Sequence, residues 1–295
     1  MEHLKEYIHS KRPNLSNSSL ITYTSILKNL YYKIFGKDNV SFDKFDDTES
    51  ILHFLKDMSP NKRKTILSAL VIITDNKKEY RTLMMEDVRD YNKEISKQTK
   101  TPEQEASWVS NNEIKEIWDE LKRNTDLLYR KKTLTPHDLQ QIQSYVIMSL
   151  LGGIFIPPRR SKDFVDFVIK DIDKNKDNYL EKNKMYFNSY KTAKTYGCQI
   201  IDLPRILQSI LKKWIHINPT RTLLFDVNMN PLSSVKLNQR INKIFHDKKV
   251  SVNALRHSYL TDKYAQHSQV DKQLSKDMTE MGSSKAMADT YIKLN

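Results

Sequence analysis

Ser251-Val252-Asn253-Ala254-Leu255-Arg256-His257-Ser258-Tyr259 is the stretch on which the reading of the chain turns. An Arg-His pair opens an apolar-periodic helix there, and a lone tyrosine, Tyr291, follows 35 residues later beyond Met281-Gly282-Ser283-Ser284. A guanidinium is a planar fork that stays protonated and grips phosphate oxygens in pairs, and a phenol can act as a nucleophile once it is placed. These residue types suit a site working on phosphodiesters.

Outward from that stretch, the chain has 295 residues, enough for two domains that each bury a core. With 38% hydrophobic residues, 29% charged residues and only five glycines, helix should dominate. No apolar run approaches the roughly 20 residues that span a bilayer, and Met1-Glu2-His3-Leu4-Lys5-Glu6 lacks the apolar stretch of a signal peptide. The expectation is an intracellular protein acting wherever its nucleic acid lies, without a membrane partner. Cys198 is the only cysteine, which rules out an intrachain disulfide and a thiolate zinc cluster; it is expected in a buried or half-buried strand.

The net charge of +13 is unevenly spread. Residues 204–295 carry 15 Lys+Arg against 7 Asp+Glu, whereas residues 1–100 carry 18 against 14 and residues 101–203 carry 16 against 15. A basic excess concentrated late in the chain, including Arg240 and Lys243, would attract a polyanion in a salt-dependent way.

In chain order, Ser16-Asn17-Ser18-Ser19 offers cap oxygens before Leu20, Tyr23, Leu27, Leu30, Tyr31 and Ile34, and Gly36 is a stop. Further helices are predicted over 48–58, from Ser59-Pro60 onward, and over 78–96. Lys62, Arg63 and Lys64, at the start of the helix that opens with Ser59-Pro60, are candidate phosphate contacts because helix N-termini favour anions. Residues 97–105 are polar, contain Pro102 and read as a linker, giving an N-terminal helical domain over 1–99 and a second domain over 100–295. The second domain opens with helices after Ser110 and from Pro136. Tyr179-Leu180, Met185-Tyr186-Phe187 and Gly197–Leu203 then predict a small antiparallel sheet, and the helical pattern returns after Pro204.

Four ordered motifs stand in the second domain. The first is Pro157-Pro158-Arg159-Arg160, followed by Asp163 and Asp171-Ile172-Asp173; the second is Lys191-Thr192, with Lys194 nearby, between two predicted strands. The third is Leu255-Arg256-His257, and the fourth is Met281-Gly282-Ser283 with Tyr291. In this order and spacing they resemble the catalytic boxes of the tyrosine recombinase (integrase) family, as found in large DNA viruses and mobile elements.

That resemblance implies a core-binding helical domain followed by an α+β catalytic domain. It implies Tyr291 as nucleophile, Arg160 and Arg256 as stabilisers of phosphate charge, and Lys191 as general acid, with Lys194 its competitor. Arg159 and Lys194 become candidate DNA contacts. Asn253 stands where the family usually carries a histidine, and Met281-Gly282-Ser283-Ser284 lacks the family's other histidine at Gly282 or Ser283; a carboxamide cannot exchange a proton near neutral pH. His257 fits an orienting role. Double-stranded DNA is the implied partner, with four protomers on two duplexes and no metal or cofactor. Two rival readings remain: a type IB topoisomerase-like enzyme, and a DNA-binding relative with impaired catalysis.

Overall fold

The computed structural model describes residues 3–38, 40–246 and 248–288, so Tyr291 lies outside the described residues. By its contacts the chain divides into two compact units, Met1–Thr99 and Lys100–Asn295.

Among the described residues the first unit packs five α-helices: α1 (Leu4–Lys11), α2 (Asn17–Phe35), α3 (Thr48–Leu55), α4 (Pro60–Ile73) and α5 (Lys78–Ser96). The Ser16 hydroxyl accepts the Ser19 N–H at the start of α2, and Gly36 ends that helix at φ +77°. Leu27, Tyr31, Phe45, Ile51, Leu55, Leu67, Leu70 and Tyr80 form the core. Its two phenols keep their hydrogen bonds: Tyr31 Oη accepts the Ser41 N–H at 3.0 Å, and Tyr80 Oη donates to the Phe45 carbonyl at 2.8 Å. Burial pushes the Tyr80 phenol well above its ordinary value. Helix α1 is absent from the sequence reading, because only Leu4 and Ile8 anchor it and two positions make no periodic run.

In the second unit, α6 (Pro102–Ser107) occupies part of the stretch expected to be a linker. A capping box starts it, with Gln104 N–H donating to Thr101 Oγ1 at 3.2 Å and Thr101 N–H to Gln104 Oε1 at 2.9 Å. Helix α7 (Asn111–Leu128) is capped by Ser110, and α8 (Pro136–Leu151) by a Thr135/Asp138 box. From Asp138 to Leu151, α8 is buried at every position but Gln141, and the unit is built around it. Even its Gln143 is fully satisfied, donating to the Phe225 carbonyl and accepting the Phe225 N–H, both at 2.8 Å.

After the short α9 (Ser161–Val165) comes a four-stranded sheet of β1 (Phe167–Val168), β2 (Asn178–Glu181), β3 (Lys184–Phe187) and β4 (Gln199–Asp202), in that spatial order. The β2–β3 and β3–β4 pairs are antiparallel, but β1 runs parallel to β2, so the purely antiparallel expectation is corrected to a mixed sheet. Two residues are too few to show a strand period, which is why β1 escaped the sequence reading. Cys198 is a second correction: it is exposed, one residue before β4 begins. The β3–β4 connection carries α10 (Ala193–Tyr196).

Among the described residues three further α-helices follow: α11 (Arg205–Ile217), α12 (Ser234–Ile244) and the 29-residue α13 (Val252–Glu280). Trp214 of α11 is fully buried, with its indole N–H donating to the Leu223 carbonyl at 2.8 Å. Among the described residues no helix is long and apolar enough to cross a membrane.

Candidate active site

The first turn of α13 is fixed from two sides. The Ser251 hydroxyl accepts the Ala254 N–H at 3.1 Å, and Asn238 of α12 accepts the Val252 N–H through Oδ1 at 3.0 Å. Val252, Ala254 and Leu255 are buried, which leaves Arg256 half-buried in the second turn. One turn further, the Tyr259 ring lies against Gly153, a residue at φ +74°; a Cβ there would stand 2.6 Å from Tyr259 Cδ2. Only glycine meets both the backbone angle and the close approach. That contact joins α13 to the turn that leads toward the Pro157-Pro158-Arg159-Arg160 motif.

From this turn, Ile156 and Pro158 insert into the core, and Arg160 becomes the N-cap of α9 with extended backbone and an exposed side chain. Asp163, in the first turn of α9, is only 2% exposed. Its Oδ2 accepts Arg159 Nε at 2.8 Å, while its Oδ1 is buried without a hydrogen-bond partner among the described residues. Arg160 and Arg256 both act on it through their charges. Burial raises the Asp163 carboxyl above its ordinary value, against the opposing pull of Arg159, Arg160 and Arg256. Burial, followed by the charge of Arg160, lowers Arg256, with Asp163 pulling the other way and Arg159 adding to the repulsion. A guanidinium remains protonated at neutral pH all the same. Arg159 pairs with the carboxylate and the charges of Arg160 and Arg256 also reach it, which leaves an excess of positive charge that suits an anionic group.

Lys191 stands exposed in the β3–β4 connection and Lys194 is exposed on α10; neither has a hydrogen bond or ion pair to the arginine cluster. Asn253 is exposed, with Oδ1 a long 3.4 Å from Arg256 Nη1, and His257 is exposed on the same helix. Ser283 is half-buried just past α13, where Gly282 at φ +70° ends the helix. The Gly282 and Ser283 N–H groups donate to the Thr279 and Met278 carbonyls at 3.0 and 2.8 Å, a Schellman closure.

The candidate phosphate contacts divide into two sets. Lys62 and Lys243 are exposed. Lys64 sits over the Tyr91 ring, and burial lowers its amine. Arg63 turns inward, with Nε and Nη2 donating to the two oxygens of Asp87 at 2.9 and 2.6 Å and Nη1 to the Lys56 carbonyl at 3.2 Å. Arg240 is likewise engaged, donating to the Gln140 carbonyl at 3.2 Å and to Gln140 Oε1, and burial lowers its guanidinium. It borders a cleft of about 920 Å³ that is also lined by His137, Asp226, Lys236 and Lys243. The sequence offered no sign that Asn178 or Gln199 belongs to the site's frame, since an amide in a strand carries no local signature. Among the described residues no group of three or more His, Cys, Asp and Glu side chains gathers as a metal site requires.

No protein-family model matches the chain, and no curated protein does. Solved structures show likenesses at low identity. A lambda integrase dimer bound to a COC′ core site is 14% identical over 90% of this chain and 72% of that one, with a TM-score of 0.45. XerH site-specific recombinase bound to difH substrate is 14% identical over 89% of this chain and 85% of that one, at 0.40. XerA recombinase is 13% identical over 89% and 84%, at 0.36.

Proposed function

We propose that this chain is a tyrosine recombinase, an enzyme that cuts and rejoins double-stranded DNA through a phosphotyrosine. The observation that carries the reading is that Arg160 and Arg256, distant in sequence, both lie close enough to the buried carboxylate of Asp163, and to each other, for their charges to act. Two guanidiniums brought to one phosphate can grip both non-bridging oxygens and stabilise the charge that develops there. In the proposed step Tyr291 Oη bonds to phosphorus as the P–O5′ bond breaks, and its phenolic proton passes to solvent. Lys191, or Lys194 in its place, gives a proton to the departing 5′ oxygen. The bond energy is kept in the 3′-phosphotyrosine, and a 5′ hydroxyl from another strand reverses the step. Exchange between two duplexes would then engage four copies of the chain.

The test is incubation with supercoiled plasmid in EDTA, wild type against Tyr291→Phe, followed by a denaturing gel for DNA bound covalently to protein. An adduct present in wild type and absent in the variant is the expected result. DNA binding without any adduct, also on nicked trapping substrates, would sink the reading. In its place would stand a DNA-binding relative with impaired catalysis, which the exposed carboxamide of Asn253 beside Arg256 already favours as the second reading. Plasmid relaxation without exchange between duplexes would point instead to topoisomerase-like chemistry.

A further inference from the structure

Arg159 precedes the first arginine of the site, yet its side chain is only 14% exposed and is spent inside the protein. Nε donates to Asp163 Oδ2 and Nη1 to Gln199 Oε1, both at 2.8 Å. The guanidinium carbon lies 3.9 Å from the centroid of the Phe187 ring and 5.2 Å from that of Tyr190. Phe187 is the last residue of β3, Gln199 is the first of β4, and the two are paired across the ladder. They are therefore the two roots of the 188–198 connection that carries Lys191 and Lys194. Other bonds keep the connection closed at the same end. Tyr190 Oη donates to the Gly197 carbonyl at 2.8 Å. The buried Asn178 accepts the Ser189 N–H and donates to the Ser189 carbonyl, both at 2.8 Å, and to the Asp163 carbonyl at 3.0 Å.

We infer that Arg159 is a positioning residue, which sets where the lysine-bearing connection stands relative to Arg160. The inference rests on the recombinase reading for its catalytic purpose. A planar fork with donors fixed at two angles can span a carboxylate on α9 and an amide on β4 while its face covers Phe187, which a lysine cannot do. The phosphate grip belongs to Arg160 and Arg256, so loss of Arg159 harms protonation of the leaving group first.

Two measurements on the full chain test this. In the free protein, Arg159→Met should speed amide hydrogen exchange across 188–198 by about tenfold or more while α8 and α11 keep their protection. Arg159→Lys should fall between the two. Unchanged exchange in the connection overturns the inference whatever the enzyme does. The second measurement uses a duplex carrying a bridging sulfur in place of the 5′ oxygen at a phosphodiester mapped by the adduct assay. A thiol has a pKa of about 8.5 and leaves without a proton, so the general acid becomes dispensable.

Arg159→Met should cleave the oxygen duplex ~10- to 100-fold more slowly than wild type and come within about threefold of it on the sulfur duplex, as Lys191→Ala should. A defect equal on both duplexes, or no defect, overturns the positioning role. A wild type that cleaves no DNA while Arg159→Met still loosens the connection removes the recombinase reading and the catalytic purpose with it, and the brace alone remains.

Discussion

Asp87 in the first unit and Asp163 in the second are both nearly inaccessible carboxylates held by an arginine, and they are finished differently. Asp87 has both oxygens filled by Arg63. Asp163 has one oxygen filled by Arg159 and the other buried without a partner among the described residues, while two further guanidiniums act on it from Arg160 and Arg256. A completed fork-to-carboxylate pair neutralises itself and serves the fold. An incomplete one under an excess of positive charge leaves attraction to spare, and such clusters mark sites for anions.

The most severe way to break the contrast is to remove the surplus arginines. Arg256→Ala or Arg160→Ala should lower adduct formation by ~10²- to 10³-fold, the usual loss for one group that stabilises transition-state charge. Because Arg160 is exposed, its variant should also melt within a few degrees of wild type, by about what a surface substitution shifts. An Arg160→Ala protein that cleaves normally would empty the comparison of its functional half.

Next in size is stability. Arg63→Met leaves a 1% exposed carboxylate without either of its hydrogen-bonded donors and with the charge of Lys64 nearby, and should cost about 3 kcal/mol in urea unfolding. Arg159→Met strips Asp163 of one guanidinium while two others still face it, and should cost about 1 to 2 kcal/mol. Equal losses would show that the unpartnered oxygen of Asp163 makes no difference.

Smaller than the loss at Arg63 is the contact that links the two arginine-bearing elements. Gly153→Ala places a Cβ at a left-handed backbone position and against the Tyr259 ring, for about 2 kcal/mol in all. Combining it with Tyr259→Ala should give a total below the sum of the single losses, which a double-mutant cycle reads directly. Additive losses would mean that the ring and the glycine do not meet.

The mildest effect is a pH dependence. Its hydrogen bond from Lys131, followed by that from the Thr135 N–H, holds Asp138 down to about 2 from an ordinary 3.8. A depressed carboxylate contributes stability that is complete above its unfolded value and is lost as pH falls to its folded one. Asp138→Asn should therefore flatten the fall in melting temperature between about pH 4 and about pH 2. Asp163 has the opposite sign: its raised value imposes a cost at neutral pH that is relieved as pH falls through it, and Asp163→Asn should abolish that relief.

Much of this is legible in the sequence. Ser16, Ser110 and the Thr135/Asp138 box start α2, α7 and α8, and each is a signal exchanged within three residues. Thr101 and Gln104 carry the same signature inside a stretch read as a linker, where the polar composition outweighed it. Strand β1 and helix α1 were invisible because two residues and two anchors make no period. The pair of arginines could be nominated from their motifs, but Asn178 and Gln199, which frame the site, could not.

The sequence by itself determined the helical character, the caps, the late concentration of positive charge and the order of the candidate arginines, lysines and tyrosine. These are properties of neighbours along the chain, whose geometry the backbone period sets. Only the tertiary structure decided which guanidiniums are free. Arg63 finds Asp87 on the next helix, Arg240 finds Gln140 one hundred positions away, and Arg159 finds Gln199 on a strand, whereas Arg160, beside Arg159, stays exposed. A charged side chain is silent about its role until the fold either supplies a buried acceptor or leaves it facing water, because desolvation and pairing depend on groups that sequence distance does not reveal.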